Sequence, residues 1–170
     1  DVEGDLNRAI ASTKQVGMRL QDLKIDIDTC SLFASGGKGF HVYIPLALVQ
    51  GVPVNLQLAR TWPRVCRHFV LYNLYVEGVD LNIYSGGQGR LMRQANVLRS
   101  NGRFKVPMHW HELEALTGEN YAELCSQPRP HILVKQPARA VGATVAWVSA
   151  KKEVDKQMGH IKPRKAAPAL

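Results

Sequence analysis

Ser31-Leu32-Phe33-Ala34-Ser35-Gly36-Gly37-Lys38-Gly39-Phe40-His41-Val42-Tyr43-Ile44 carries one apolar run into a glycine loop and another out of it. Leu32 to Ala34 reads as a strand, and Phe40 to Ile44 as a second. The alternation puts His41 and Tyr43 on one face of the second strand, with Phe40, Val42 and Ile44 on the other. The intervening Ser35, Gly36, Gly37, Lys38 and Gly39 can take positive φ and come close to a ligand. Such a loop presents N–H donors, a hydroxyl and an ammonium together, which suits a phosphate group. His41 leaves the loop aimed at the same space. A glycine-rich β-hairpin with a solvated lysine has the same composition. The loop is neither a Walker P-loop, since Gly-x-x-x-x-Gly-Lys-Ser/Thr is absent, nor a dinucleotide fingerprint, since a strand follows it rather than a helix.

A chain of 170 residues is long enough for one domain with a real core. Its hydrophobic content of 45% and charged content of 21% are those of a globular protein. The net charge of +8 and isoelectric point near 9.6 favour a polyanionic partner, nucleic acid before membrane. No run approaches the ~18 apolar residues of a membrane span. No secretory signal opens the sequence, and no basic amphipathic helix suits a membrane surface. Cys30, Cys66 and Cys125 are scattered, odd in number and without metal-ligand spacing. They read as reduced, buried thiols of a cytoplasmic protein.

Elsewhere the chain alternates helical stripes with turns. Residues 5 to 20 read as a helix capped by Asp5, with Leu6, Ala9, Ile10, Thr13, Gly17 and Leu20 on one stripe. Leu46 to Arg60 reads as a loop or broken strand, because of Gly51 and Pro53. Trp62-Pro63 is expected to open a helix with Pro63 in its first turn, and Arg60, Arg64, Arg67 and His68 near its start. Val79 to Tyr84 reads as a strand with Asp80 at its beginning, where an aspartate is commonly a turn cap. Ser85-Gly86-Gly87-Gln88-Gly89 echoes the first glycine loop and runs into Arg90, Arg93, Arg99, Arg103 and Lys105, groups suited to phosphates. A solvated basic hairpin accounts for them equally. His109-Trp110-His111 runs into Glu112-Leu113 and reads as a helix-entry turn. The last quarter offers an apolar strand or helix from Val141 to Val148, a charged helix from Lys151 to Met158 and a basic tail. The division expected is a core over 1–127, an extension over 128–160 and a tail or linker over 161–170.

Ser35-Gly36-Gly37-Lys38-Gly39-Phe40-His41-Val42-Tyr43-Ile44-Pro45 resembles the second motif of the archaeo-eukaryotic primase superfamily, in which serine and histidine flank a glycine turn. Asp1 and Glu3 resemble the acidic pair of its first motif, and two like-sided carboxylates of that spacing can hold a hard divalent cation. Asp26 and Asp28 are weaker rivals, since no helix fits between them and Ser35. Val79-Asp80 resembles the third motif. The arginine segment, with Asn96, a glycine turn and Lys105 before Val106-Pro107, is similar to plasmid and phage primases, although Ala95 stands where proline is common.

The resemblance spans residues 1 to 107. It implies an α/β (α+β) catalytic core with a mainly antiparallel or mixed sheet and flanking helices. The implied activity is primase or DNA polymerase: template-directed nucleotidyl transfer from nucleoside triphosphates. Asp1, Glu3 and Asp80 would be catalytic and hold Mg²⁺ or Mn²⁺. Ser35, Gly37, Lys38, His41 and Arg90 would bind nucleotide, and Arg93, Asn96, Arg99, Arg103 and Lys105 single-stranded DNA template. The resemblance also implies a longer parent chain, with strand residues before Asp1 and a helicase domain or subunit as partner. Two other classes stay open: a nicking endonuclease using His109, His111 and Tyr121, and a non-catalytic DNA-binding replication protein.

Overall fold

The structure, a computed structural model, describes residues 6–49, 56–84 and 92–159, with the side chains of 56–60 excepted. Asp1, Glu3, Asp5, the second glycine turn with Arg90, and the basic tail lie outside the described residues.

Helix α1 spans Leu6–Asp22 and buries Ala9, Ile10, Thr13, Gly17 and Leu20, the stripe its spacing predicts. Gly17 is needed for contact rather than for flexibility. A Cβ there would stand 3.1 Å from the Trp110 ring. The helix ends where Lys24 takes φ 61, with Ile25 N donating to Leu20 O at 3.0 Å.

Strands β1 (Ser31–Ala34) and β2 (Phe40–Tyr43) form the expected antiparallel hairpin, Ala34 facing Phe40. A third strand, β3 (Val106–Met108), pairs antiparallel with the free side of β1, giving the order β2-β1-β3. Pro107 is tolerated in β3 because that strand is an edge, where a missing N–H costs no ladder bond. Leu32, Ala34, Val106 and Met108 pack on Leu113, Tyr121 and Cys125 to form one apolar cluster.

Three expectations are corrected. Helix α2 spans Leu56–Phe69, so part of the expected loop is helical and Pro63 lies inside the helix. An interior proline removes one hydrogen bond and crowds the preceding turn. Burial opposes that cost: Val65 and Phe69 are core residues, and the Trp62 ring lies 4.9 Å from that of Trp147. A wide turn, Val70–Leu74, continues the helix and keeps both Val70 and Leu74 buried. Val79 to Tyr84 is not a strand. Asp80 Oδ1 accepts from Asn82 N at 2.8 Å, and Leu81–Tyr84 forms a short 3₁₀ turn. The local side-chain bond offers the backbone an alternative to pairing.

Helix α3 is the short turn Tyr121–Leu124. Helix α4 runs unbroken over Val141–Gly159, where the sequence suggested two segments. Ala143, Trp147, Ala150 and Val154 recur at helical spacing and join α2 in the larger core cluster. The described residues therefore make an α+β fold: a three-stranded antiparallel sheet with helices. None of the described helices is long and apolar enough to cross a membrane. The three cysteines are free thiols, and burial pushes Cys30 and Cys66 up to about 11.

Candidate functional site

The loop between β1 and β2 is closed on itself. Ser35 N donates to Gly39 O at 2.9 Å. Gly37 N and Gly39 N donate to Ser35 Oγ at 3.2 and 3.3 Å. The Tyr121 hydroxyl donates to Gly39 O at 2.7 Å, so the proton in its 3.4 Å contact with Ser35 comes from the serine. Two of the N–H donors expected to face a phosphate are thus turned onto Ser35, which is 8% exposed. Ser35 organises the loop from beneath, and Lys38 is exposed at its tip.

A second turn clamps the loop from outside. Arg99 Nη1 donates to Ser35 O at 3.0 Å, and Asn101 Nδ2 to Gly36 O at 2.9 Å. Gly36 has φ +69, and a Cβ there would stand 2.4 Å from Phe104 O. At Gly37 the missing side chain leaves room for the Arg99 guanidinium, whose Nη2 would lie 3.1 Å from a Cβ. Glycine is required here by close approach as much as by conformation.

A cavity of about 350 Å³ opens beside this loop. Ser35, Gly39 and His41 line one side, Asp80 another, and Ser12 and Thr13 of α1 a third. Its size falls in the range of small-molecule sites, roughly 300–1,000 Å³. The His41 Nδ1 atom is buried without a hydrogen-bond partner. Burial first, then the Lys105 ammonium and the Arg99 guanidinium, hold this imidazole below the usual histidine range. No described carboxylate pairs with either cation. An orphaned imidazole nitrogen near two cations that no described carboxylate neutralises favours an anionic ligand.

His41 of the glycine motif and the lone aspartate Asp80, far apart in the sequence, therefore meet in one cavity. Asp1, Glu3 and Arg90 lie outside the described residues, so Asp80 alone represents the acidic trio here. Asp80 lines the cavity, its Oδ1 accepts the Asn82 N–H, and a carboxylate is the oxygen donor one ligand of a hard cation needs.

The residues expected to bind DNA divide. Lys105 is 2% exposed, lies over the rings of Phe33 and Tyr43 at 4.6 and 4.8 Å, and donates to Tyr43 Oη at 2.8 Å and Arg93 O at 2.9 Å. Its charge is committed to the fold rather than to a DNA strand. Asn96, at φ 61, exchanges two hydrogen bonds with the backbone of Arg129, at 2.8 and 3.0 Å; it too is a structural residue. Arg99 serves the glycine loop. Arg93 is exposed and Arg103 half-buried at the base of the same turn.

His109 caps the short 3₁₀ helix Trp110–Leu113, with Glu112 Oε2 accepting from His109 N at 2.6 Å. Its ring stacks on that of His111 at 5.1 Å. The helix-entry reading of this triplet holds. Tyr121, the tyrosine a nicking enzyme would use, is fully buried, and burial pushes its phenol up to about 12. A phenol so placed cannot reach DNA. Among the described residues no three His, Cys, Asp or Glu side chains gather to hold a metal ion. The clamping roles of Arg99 and Tyr121 escaped the sequence reading, which gave the first to template binding and the second to a nicking endonuclease. The turn signal Asn101-Gly102 marks the first, but nothing local to Tyr121 marks the second.

Compared with protein-family models, with curated proteins and with solved structures, the chain matches none of them.

Proposed function

We propose that the cavity beside the glycine loop takes the triphosphate of a nucleotide, and that the protein is a primase-polymerase carrying out template-directed nucleotidyl transfer on single-stranded DNA. The observation that carries this reading is the meeting of Ser35, Gly39, His41 and Asp80 in one cavity. Arg99 and Lys105 add positive charge beside it without a paired carboxylate, and such preorganised charge stabilises phosphate oxygens. His41 supplies the unpartnered nitrogen, and Lys38 at the loop tip a mobile ammonium. Asp80, with Asp1 and Glu3, would hold Mg²⁺ or Mn²⁺, which when bound supplies charge for activating a 3′ hydroxyl and steadying pyrophosphate. A helicase domain or subunit is the partner this activity calls for.

The test is incorporation of labelled nucleotides on a primed and an unprimed single-stranded template with either metal. Wild-type protein is expected to extend, Asp80→Asn to lose incorporation while still binding DNA, and His41→Ala to lose triphosphate affinity. A non-catalytic DNA-binding protein is the second reading, favoured by the closure of Gly37 N and Gly39 N onto Ser35. It predicts DNA binding with no incorporation under either metal.

A further inference from the structure

The chain carries no acidic residue between Asp28 and Glu77. Helix α2 and its wide turn lie inside that interval. One face of this segment, Val65, Phe69, Val70 and Leu74, is buried, and Val70 and Leu74 wall the candidate cavity. The other face carries Arg64, His68 and Tyr72 at successive four-residue spacings, with exposed Arg67 beside them. Residues so spaced share a helix face.

Tyr72 is 68% exposed, against 40% for Tyr75 and 37% for Tyr43. The ring is held, not loose: it stacks on the His68 imidazole with centroids 4.3 Å apart and planes 28° apart. His68 is half-buried, so it fixes the orientation of the outer ring. Arg64 also touches Met158 near the end of α4.

A flat ring held in place, open on its outer side and flanked by arginines with no acid in the segment, is the combination that grips a single strand. Bases stack on the ring, and the guanidiniums hold the backbone. We infer that the Arg64–Arg67–His68–Tyr72 face of α2 is a platform for single-stranded nucleic acid, on the reverse side of the helix that walls the nucleotide cavity. The inference rests on the proposed use of a single-stranded template and deepens it by naming where the strand is held. It needs binding only, and no chemistry.

The experiment measures affinity for a labelled oligothymidylate and for a duplex across a salt series. Tyr72→Ala is expected to weaken single-strand binding about tenfold and leave duplex binding unchanged, and Tyr72→Trp to keep it. Arg67→Ala is expected to lower the slope of log K against log salt by about 0.7. Unaltered wild-type protein, irradiated with an iodouracil-substituted strand, is expected to crosslink at Tyr72 or His68. Wild-type affinity in Tyr72→Ala, equal loss in Tyr72→Ala and Tyr72→Trp, equal loss on duplex, or crosslinks only elsewhere would each overturn the platform. A protein that incorporates nucleotides but ignores Tyr72 loses the platform alone. One that binds strands through Tyr72 but never incorporates loses the catalytic reading alone.

Discussion

The Tyr121 hydroxyl donates to the carbonyl of Gly39 across 2.7 Å, although the two residues are 82 positions apart in sequence. The candidate loop is therefore held from within the second apolar cluster, to which Tyr121 belongs. Removing that hydroxyl in Tyr121→Phe is expected to cost about 0.5–1.5 kcal/mol of stability, the usual net worth of one hydrogen bond. Gly39 O keeps its bond from Ser35 N, so the loss is modest rather than ruinous. The folded phenol ionises at about 12 against an ordinary 10.0. Stability linked to it is present below the ordinary value and lost as pH rises toward the folded one. Denaturant midpoints for wild type should fall across that alkaline window, and Tyr121→Phe should fall less.

Gly36 and Gly102 both have positive φ, +69 and +75, yet substitution should cost very different amounts. At Gly102 nothing stands within 4 Å of an added Cβ. Gly102→Ala should lose only the left-handed strain, about 1–2 kcal/mol. Gly36→Ala adds a collision with the Phe104 carbonyl and should lose more than about 2 kcal/mol, with the loop displaced. Urea melts of the two variants measure the difference.

Burial and two nearby cations hold the His41 pKa below its ordinary value. A group depressed in this way contributes stability that is present above the ordinary histidine pKa and lost as pH falls through the folded one. An imidazole proton titration should show His41 below the ordinary histidine value. Tripolyphosphate should raise it, because an anion favours the charged ring. Lys105→Met should raise it as well, by removing one of the cations.

The buried Lys105 also makes a prediction about DNA. Lys105→Met should leave the salt dependence of strand binding unchanged, since the ammonium is spent on Tyr43 and Arg93 O. Arg93→Ala, at an exposed position, should flatten the slope by about 0.7. Equal effects of the two would mean that Lys105 leaves its cage when DNA binds.

Much of this arrangement is legible in the sequence where one period rules. The α1 stripe follows from spacing alone, and in the β1–β2 hairpin the alternation is plain in β1, where Leu32 and Ala34 are buried and Ser31 and Phe33 are not. Helix α4 is harder to read. Val141, Val145 and Val148 are exposed opposite its buried stripe, so apolar residues fall on both sides. The Val79–Tyr84 segment alternates like a strand, but the Asp80 carboxylate captures the Asn82 N–H and bends it. Pro63 signals a helix start only when nothing upstream can be helical, and here Leu56 to Thr61 is. At the site, Ser35, His41 and Asp80 could be named from their motifs. That Arg99, Asn96 and Lys105 are structural depends on contacts 33 to 64 positions away in the chain, which no local pattern records.

The central claim is that the cavity lined by Ser35, Gly39, His41 and Asp80 takes a nucleotide triphosphate. Amide and imidazole chemical shifts recorded during titration with a nucleoside triphosphate test it most directly, with the free nucleoside as control. The account predicts saturable shifts at Gly37, Gly39, His41 and Asp80 for the triphosphate, absent for the nucleoside and much weakened in His41→Ala. Shifts confined to other surfaces, or equal responses in wild type and His41→Ala, would contradict it.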